Sequence, residues 1–140
     1  MPANTPTTSI KDFFLSRNLT GKSILLAVSG GCDSMFLFHA VNELKDSIGI
    51  KLAVAHVNHG LRETALRDED FVRENSSAFN IPCFVKKIPA GELVGADIEN
   101  RARETRYSFF NEVMNREGCD FVATAHNAND QLETDRKTHV

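Results

Sequence analysis

Apolar and polar positions along the chain switch between two periods. Ile24 to Val28 is an unbroken apolar run with the length and bulk of a buried strand. Three more strand-like runs follow: Lys51 to Val57, Cys83 to Ile88 and Asp120 to Ala125. Helical spacing fills the gaps between them. Met35, Phe36, Leu37, Phe38, Ala40, Val41 and Leu44 fit one helix. Thr64 to Phe79 fits a second and more polar one, with Ala65, Phe71, Val72, Ala78 and Phe79 available to its inner face. Asn80-Ile81-Pro82 ends it, because the residue before a proline disfavours helix. Asp97 is placed to cap a third helix running to about Arg116, with Ile98, Ala102, Phe109 and Val113 as its stripe and Glu117-Gly118 as its stop. A short helix from Ser9 to Leu19, carrying Ile10, Phe13, Phe14 and Leu15, precedes the first strand, and Leu132-Glu133-Thr134 is read as the start of another helix.

Strands alternating with helices imply parallel pairing through right-handed crossovers. The expected fold class is therefore α/β, a doubly wound parallel sheet. Ligands bind such sheets at the carboxyl ends of the strands. Three polar loops should share that edge: Ser29 to Ser34, Asn58 to Arg62, and His126 to Gln131. The first is the most informative. Ser29-Gly30-Gly31-Cys32-Asp33-Ser34 joins a buried strand to an apolar helix. There, free backbone N–H groups and the positive end of a helix dipole form an anion site. Glycines let the backbone approach a phosphate closely. Ser29 and Ser34 can add hydroxyls, and Asp33 can cap the helix or hold a metal bound to a polyphosphate.

Composition narrows the classes. At 140 residues the chain suits one domain, able to bury roughly two thirds of its unfolded surface. Residues are 41% hydrophobic and 25% charged, ordinary for a globular protein. No apolar run approaches the ~20 residues of a membrane span, and the polar start, Met1 to Thr8, has no signal-peptide core. Cys32, Cys83 and Cys119 form no CxxC pair, which argues against a disulfide framework and for a reducing cytoplasm. His56, His59 and His126 lack the thiolate pair that would complete a structural zinc set. A net charge of −3 is a poor footprint for nucleic acid on this chain alone. Gly21-Lys22-Ser23 is not a Walker A loop: Ser16 stands where its first glycine belongs, and the strand follows instead of preceding it.

The string SGGCDS resembles the SGGxDS loop of the PP-loop ATP pyrophosphatases, which cleave ATP between its α and β phosphates. Three further segments narrow the likeness. His56-Val57-Asn58-His59-Gly60-Leu61-Arg62 is similar to the HVNHGLR string of tRNA(Ile)-lysidine synthetases, Glu99 to Tyr107 to their ExxARxxRY helix, and Thr124 to Thr134 to their TAHxxDDQxET segment, with Asn129 where Asp is common. The resemblance implies ATP and Mg²⁺ as cofactors, with lysine and tRNA(Ile) as substrates. It implies a ligation in which the C2 oxygen of the wobble cytidine is adenylated and a lysine amine then displaces AMP.

By the same resemblance, Ser29, Gly30, Gly31, Cys32, Asp33, Ser34 and His59 bind the nucleotide. Asp33, Arg106 and Asp130 carry catalysis, with Asp33 also the candidate Mg²⁺ ligand. Arg103, three residues before Arg106 on the same helix face, stays open between phosphate contact and a solvated face. The expected units are a leader and short helix at 1–20, the ATP-binding unit at 21–134 and a divergent tail at 135–140. The family continues with an apolar helix and tRNA-binding domains where this chain has Asp135 to Val140, so the ending reads as a truncation, with most tRNA contacts beyond it. Two alternatives remain: a nucleotide-binding fragment without turnover, or another PP-loop enzyme such as a tRNA thiolase or an amidotransferase-type synthetase.

Overall fold

The computed structural model of the chain describes residues 6–60, 63–89, 95–125 and 132–136, the side chains of 6–9, 32, 33, 125 and 132–136 excepted. In chain order the elements are α1 (Pro6–Ser16), β1 (Ser23–Ala27), α2 (Cys32–Ile48), β2 (Lys51–Asn58), α3 (Ala65–Ala78), β3 (Cys83–Lys87), α4 (Ile98–Glu117), β4 (Phe121–Ala125) and β5 (Leu132–Arg136). The sheet order is β3-β2-β1-β4-β5. β1 pairs in parallel with β2 and β4, and β2 in parallel with β3. The chain therefore builds outward from β1 to β3 and then crosses back to β4. The switch point between β1 and β4 is where an open sheet of this kind leaves a crevice.

Alternation along the strands sorts the core into two layers. Ile24, Leu26, Leu52, Val54 and Ala123 pack on one face with α1, α2 and Val72 of α3. Leu25, Ala53, Ala55 and Val122 pack on the other with Ala102, Phe109, Phe110, Val113 and Met114 of α4. This is the doubly wound arrangement expected from the pattern. The α4 stripe is as read, and α1 docks by Ile10 and Phe14 while Leu15, expected inside, is 48% exposed.

Two expectations are corrected. Leu132-Glu133-Thr134 opens no helix; it lies in β5, antiparallel to β4. Only 126–131 separate β4 from β5, too few residues for a parallel crossover, and the open edge of β4 offers ladder groups that a neighbouring strand satisfies. The inner face of α3 is also different. Phe71 and Phe79 are exposed, and the buried positions are Asp68, Glu69, Val72 and Ser76. A helix turns inward the face whose polar groups find partners, and here buried carboxylates do (below).

Candidate active site

The site begins where β1 ends. The Val28 N–H makes the last bond to β2, donating to the Ala55 carbonyl at 2.9 Å. The chain then leaves the sheet through Ser29 and Gly30, the latter at φ +90°, a conformation that disfavours any side chain. Gly31, not Asp33, occupies the N-cap position of α2, with φ −78° and ψ 170°. Asp33 falls at the second helical position, so it is not the capping residue that the sequence suggested; its carboxylate lies outside the described side chains, as does Cys32. Because the cap is a glycine, it offers no cap side chain to the first-turn N–H groups, the kind of helix start at which anions bind.

The two serines hold the turn together. The Ser34 hydroxyl, 6% exposed, accepts from the Ser29 N–H at 2.7 Å, and the Ser29 hydroxyl accepts from the Gly31 N–H at 3.2 Å. Both were read as ligand donors; in this structure their oxygens first fix the loop. α3 presses on the same turn. A Cβ built on Gly30 would stand 2.7 Å from Asp68 Cβ.

Above the turn lies a cavity of about 410 Å³, within the range of small-molecule sites. Ala27, Val28 and Ser29 form its floor with the end of β2, from His56 to Asn58, and with His59 just beyond it. Arg103, Arg106, Tyr107 and Phe110 of α4 form one wall, Ala65 and Asp68 of α3 another, and Thr124 closes the β4 side. The cavity thus collects three of the motif segments: the phosphate-type turn, the His56–Gly60 segment and the arginine helix. Of the expected site residues, Ser29, His59 and Arg106 line it directly, and Arg103 joins them. Gly30, Gly31 and Ser34 belong to the adjoining turn. Leu61, Arg62 and Asp130 lie outside the described residues.

The end of β2 is held from below by residues that the sequence did not single out. The Asn58 side chain donates to Glu69 Oε1 at 2.9 Å and accepts from the Gly60 N–H at 3.1 Å. Glu69, whose side chain is 3% exposed, also accepts from Arg73 Nε at 2.9 Å and lies 3.7 Å from Lys87 Nζ. Burial pushes its carboxyl toward protonation, but the Asn58 and Arg73 hydrogen bonds and the Lys87 and Arg73 charges outweigh it and hold the pKa below the ordinary 4.5. Thr64 Oγ1 donates to Asp68 Oδ2 at 3.2 Å at the start of α3. On α4, Tyr107 packs edge-on against Phe110 with centroids 5.9 Å apart, and the Arg103 guanidinium lies 5.9 Å from the Tyr107 ring. The left-handed Asp97 occupies the N-cap position of α4 as expected, but its carboxylate accepts from the Asn100 side chain at 3.4 Å instead of capping the helix.

The described residues hold no group of three or more His, Cys, Asp or Glu suited to a metal. Mg²⁺ that arrives with a polyphosphate needs only one or two protein carboxylates, keeping phosphate and water as its other ligands. Asp68, on the cavity wall, is the carboxylate among the described side chains that lines the site.

Sequence comparison decides the family. The PP-loop domain profile matches residues 3–135. The chain belongs to the PP-loop family. It is 43% identical over 129 residues to a tRNA(Ile)-lysidine synthase of Clostridium perfringens, covering 89% of this chain and 27% of that protein. It is 42% identical to one of Lactococcus lactis, covering 79% and 25%, and 41% identical to one of Petrotoga mobilis, covering 79% and 37%. The chain therefore spans roughly a quarter to two fifths of the length of these relatives. Among solved structures, a U34-tRNA thiolase of Methanococcus maripaludis with its [4Fe-4S] cluster matches with a TM-score of 0.73 at 22% identity, over 89% of this chain and 45% of that one, which is a likeness of fold. No helix among the described residues is long and apolar enough to cross a membrane.

Proposed function

We propose that this chain is the ATP-binding, adenylating unit of a tRNA(Ile)-lysidine synthetase, with residues 21–134 as the working unit. The observation that carries the reading is the meeting of the Ser29–Ser34 turn, the His56–Gly60 segment and the Arg103–Tyr107 helix at one cavity, in a chain whose relatives bear that enzyme's name.

ATP would seat its β and γ phosphates on the N–H groups of the turn and the first turn of α2, those of Gly30, Cys32, Asp33 and Ser34, while the Gly31 N–H stays with the Ser29 hydroxyl. Arg106, on the opposite wall, faces the phosphates as a cation. The C2 oxygen of the wobble cytidine attacks the α-phosphorus and pyrophosphate leaves. A lysine amine then attacks C2, and AMP departs with the former C2 oxygen. Charge that builds on phosphate oxygens is met by preorganised N–H groups and a guanidinium, the kind of stabilisation worth most in a water-poor site. Mg²⁺, held by Asp33 with the phosphates, would neutralise the pyrophosphate leaving group. His59 borders the nucleotide, and Asp130 serves lysine or the reacting base.

The test is release of pyrophosphate and AMP from ATP with Mg²⁺, measured with and without lysine and tRNA(Ile), beside Asp33→Ala. Release that requires both substrates and vanishes in the variant supports the reading. ATP binding without turnover leaves a nucleotide-binding unit whose chemistry needs residues beyond these 140. Sulfur incorporation into tRNA would favour a thiolase instead. The acidic balance of the chain, −3, supports a reading in which the main tRNA contacts lie elsewhere in such an enzyme.

A further inference from the structure

The first turns of α3 carry carboxylates inward, and two neighbouring ones reach both described loops of the site. Gly30 has no room for a Cβ because Asp68 stands against it, which sets α3 on the phosphate-type turn. The next residue, Glu69, reaches the loop after β2. Its Oε1 accepts from Asn58 Nδ2 at 2.9 Å, and Asn58 Oδ1 accepts from the Gly60 N–H at 3.1 Å. A carboxylate only accepts and a backbone N–H only donates, so these two partners settle which way the Asn58 amide points. The Asn58 carbonyl accepts from the Ile88 N–H at 2.8 Å, so the residue that ends β2 is held by its side chain and its backbone together. Asn58 and His59 both line the cavity.

Stability alone does not call for a carboxylate at this place. Apolar residues of similar volume often replace a buried ion pair at no cost. What the carboxylate supplies is two acceptors at fixed positions: Oε2 takes Arg73 Nε at 2.9 Å, while Oε1 orients Asn58. The same contacts, with Lys87 Nζ at 3.7 Å, keep Glu69 ionised at neutral pH. We infer that Glu69 is a positioning residue of the nucleotide site: through Asn58 it fixes the loop carrying His59 relative to the phosphate-type turn that Asp68 backs. The inference rests on the nucleotide reading above and adds a residue that acts on the ligand only through another. One turn of α3 thereby sets the spacing of two loops that the sequence places about thirty residues apart.

The experiment is calorimetric titration with ATP and Mg²⁺ of the wild type, Glu69→Gln, Asn58→Asp and the double variant, with circular dichroism to show that each is folded. In Glu69→Gln one acceptor must serve two donors, so either Asn58 or Arg73 meets an N–H. Opposite Asn58→Asp the same glutamine fits. Its N–H donates to the new carboxylate, its oxygen keeps Arg73, and the Gly60 N–H keeps an acceptor. Glu69→Gln should therefore weaken ATP binding about tenfold in the native background and strengthen it about threefold or more in the Asn58→Asp background. Removal of a negative charge near the phosphates would strengthen binding in both, and a merely structural defect would weaken it in both. The same sign in both backgrounds, or no effect in either, overturns the inference and leaves the phosphate site standing. Failure of the wild type to bind ATP overturns both. A second readout needs neither ATP nor Asn58→Asp: amide hydrogen exchange of Gly60, measured against the β1–β2 ladder amides, should quicken about tenfold in Glu69→Gln. Unchanged exchange at Gly60 overturns the inference.

Discussion

Gly30→Ala tests how tightly the phosphate-type turn is fitted against α3. Two costs follow from its geometry. Gly30 has φ +90°, which an alanine adopts only under strain, at about 1–3 kcal/mol. Its new Cβ would also stand 2.7 Å from Asp68 Cβ and 3.1 Å from Asp68 Cα and the Asp68 carbonyl oxygen. Two of those three atoms are backbone, so no rotamer change relieves the clash, and overpacking of this kind adds about 1–3 kcal/mol. The expected loss is about 2–6 kcal/mol, a large share of the 5–15 kcal/mol (roughly) that such a domain commands. Urea unfolding measures it. The double variant Gly30→Ala/Asp68→Gly separates the two causes, because removing the Asp68 Cβ clears the closest contact and leaves the φ strain. A favourable coupling of about 1 kcal/mol or more is expected between the two sites. Gly30→Ala within about 0.5 kcal/mol of the wild type, with ATP affinity unchanged, would refute the reasoning.

Ser34→Ala removes the acceptor of the Ser29 N–H and should cost about 1–3 kcal/mol in urea unfolding while weakening ATP binding; a silent variant would show that the turn holds itself. Glu69→Gln addresses pH. Because the folded carboxyl titrates below its ordinary 4.5, its contribution is fully present above about that pH and is lost as the pH falls through the folded value. Urea midpoints between pH 7 and pH 3 should therefore fall less steeply in the variant, and identical acid limbs would contradict the assignment. Phe14→Ala, at a side chain fully buried under α2, should cost about 3–5 kcal/mol by thermal unfolding; a loss below about 1 kcal/mol would mean that α1 is not part of the core. Arg106→Ala should lower ATP affinity about tenfold with unchanged circular dichroism, a unit of free energy typical of one charge-assisted contact, and unaltered affinity would remove Arg106 from the phosphate site.

The architecture was legible where side-chain burial and period agree. Ile24 to Val28 and Leu52 to Ala55 are apolar throughout because both faces of the sheet are covered, and Ala102, Phe109 and Val113 keep helical spacing because α4 buries one stripe. The polar loops were legible because glycine and serine in SGGCDS have few other uses between a strand and a helix. What the sequence hid lies where function inverts the pattern. The inner face of α3 carries Asp68 and Glu69, so a search for apolar residues chose Phe71 and Phe79, which face outward. Asp68 accepts from Thr64, the partners that make Glu69 tolerable come from Asn58, Arg73 and Lys87, and only the fold brings Lys87 of β3 to Glu69. Asp33 was equally ambiguous: cap and first-turn positions differ by two residues, and the dihedral angles of Gly31 decide between them. β5 was missed because its pairing depends on the open edge of β4 and the short connection before it, and neither is written in Leu132-Glu133-Thr134.

The most direct test of the central claim is a crystal structure of this chain with Mg²⁺ and an ATP analogue whose α–β bridge is a methylene group. The account predicts the β and γ phosphates against the backbone N–H groups of Gly30 and Cys32 to Ser34, with Arg106 facing them. Phosphates bound away from the turn, or a cavity left empty at saturating analogue, would contradict it.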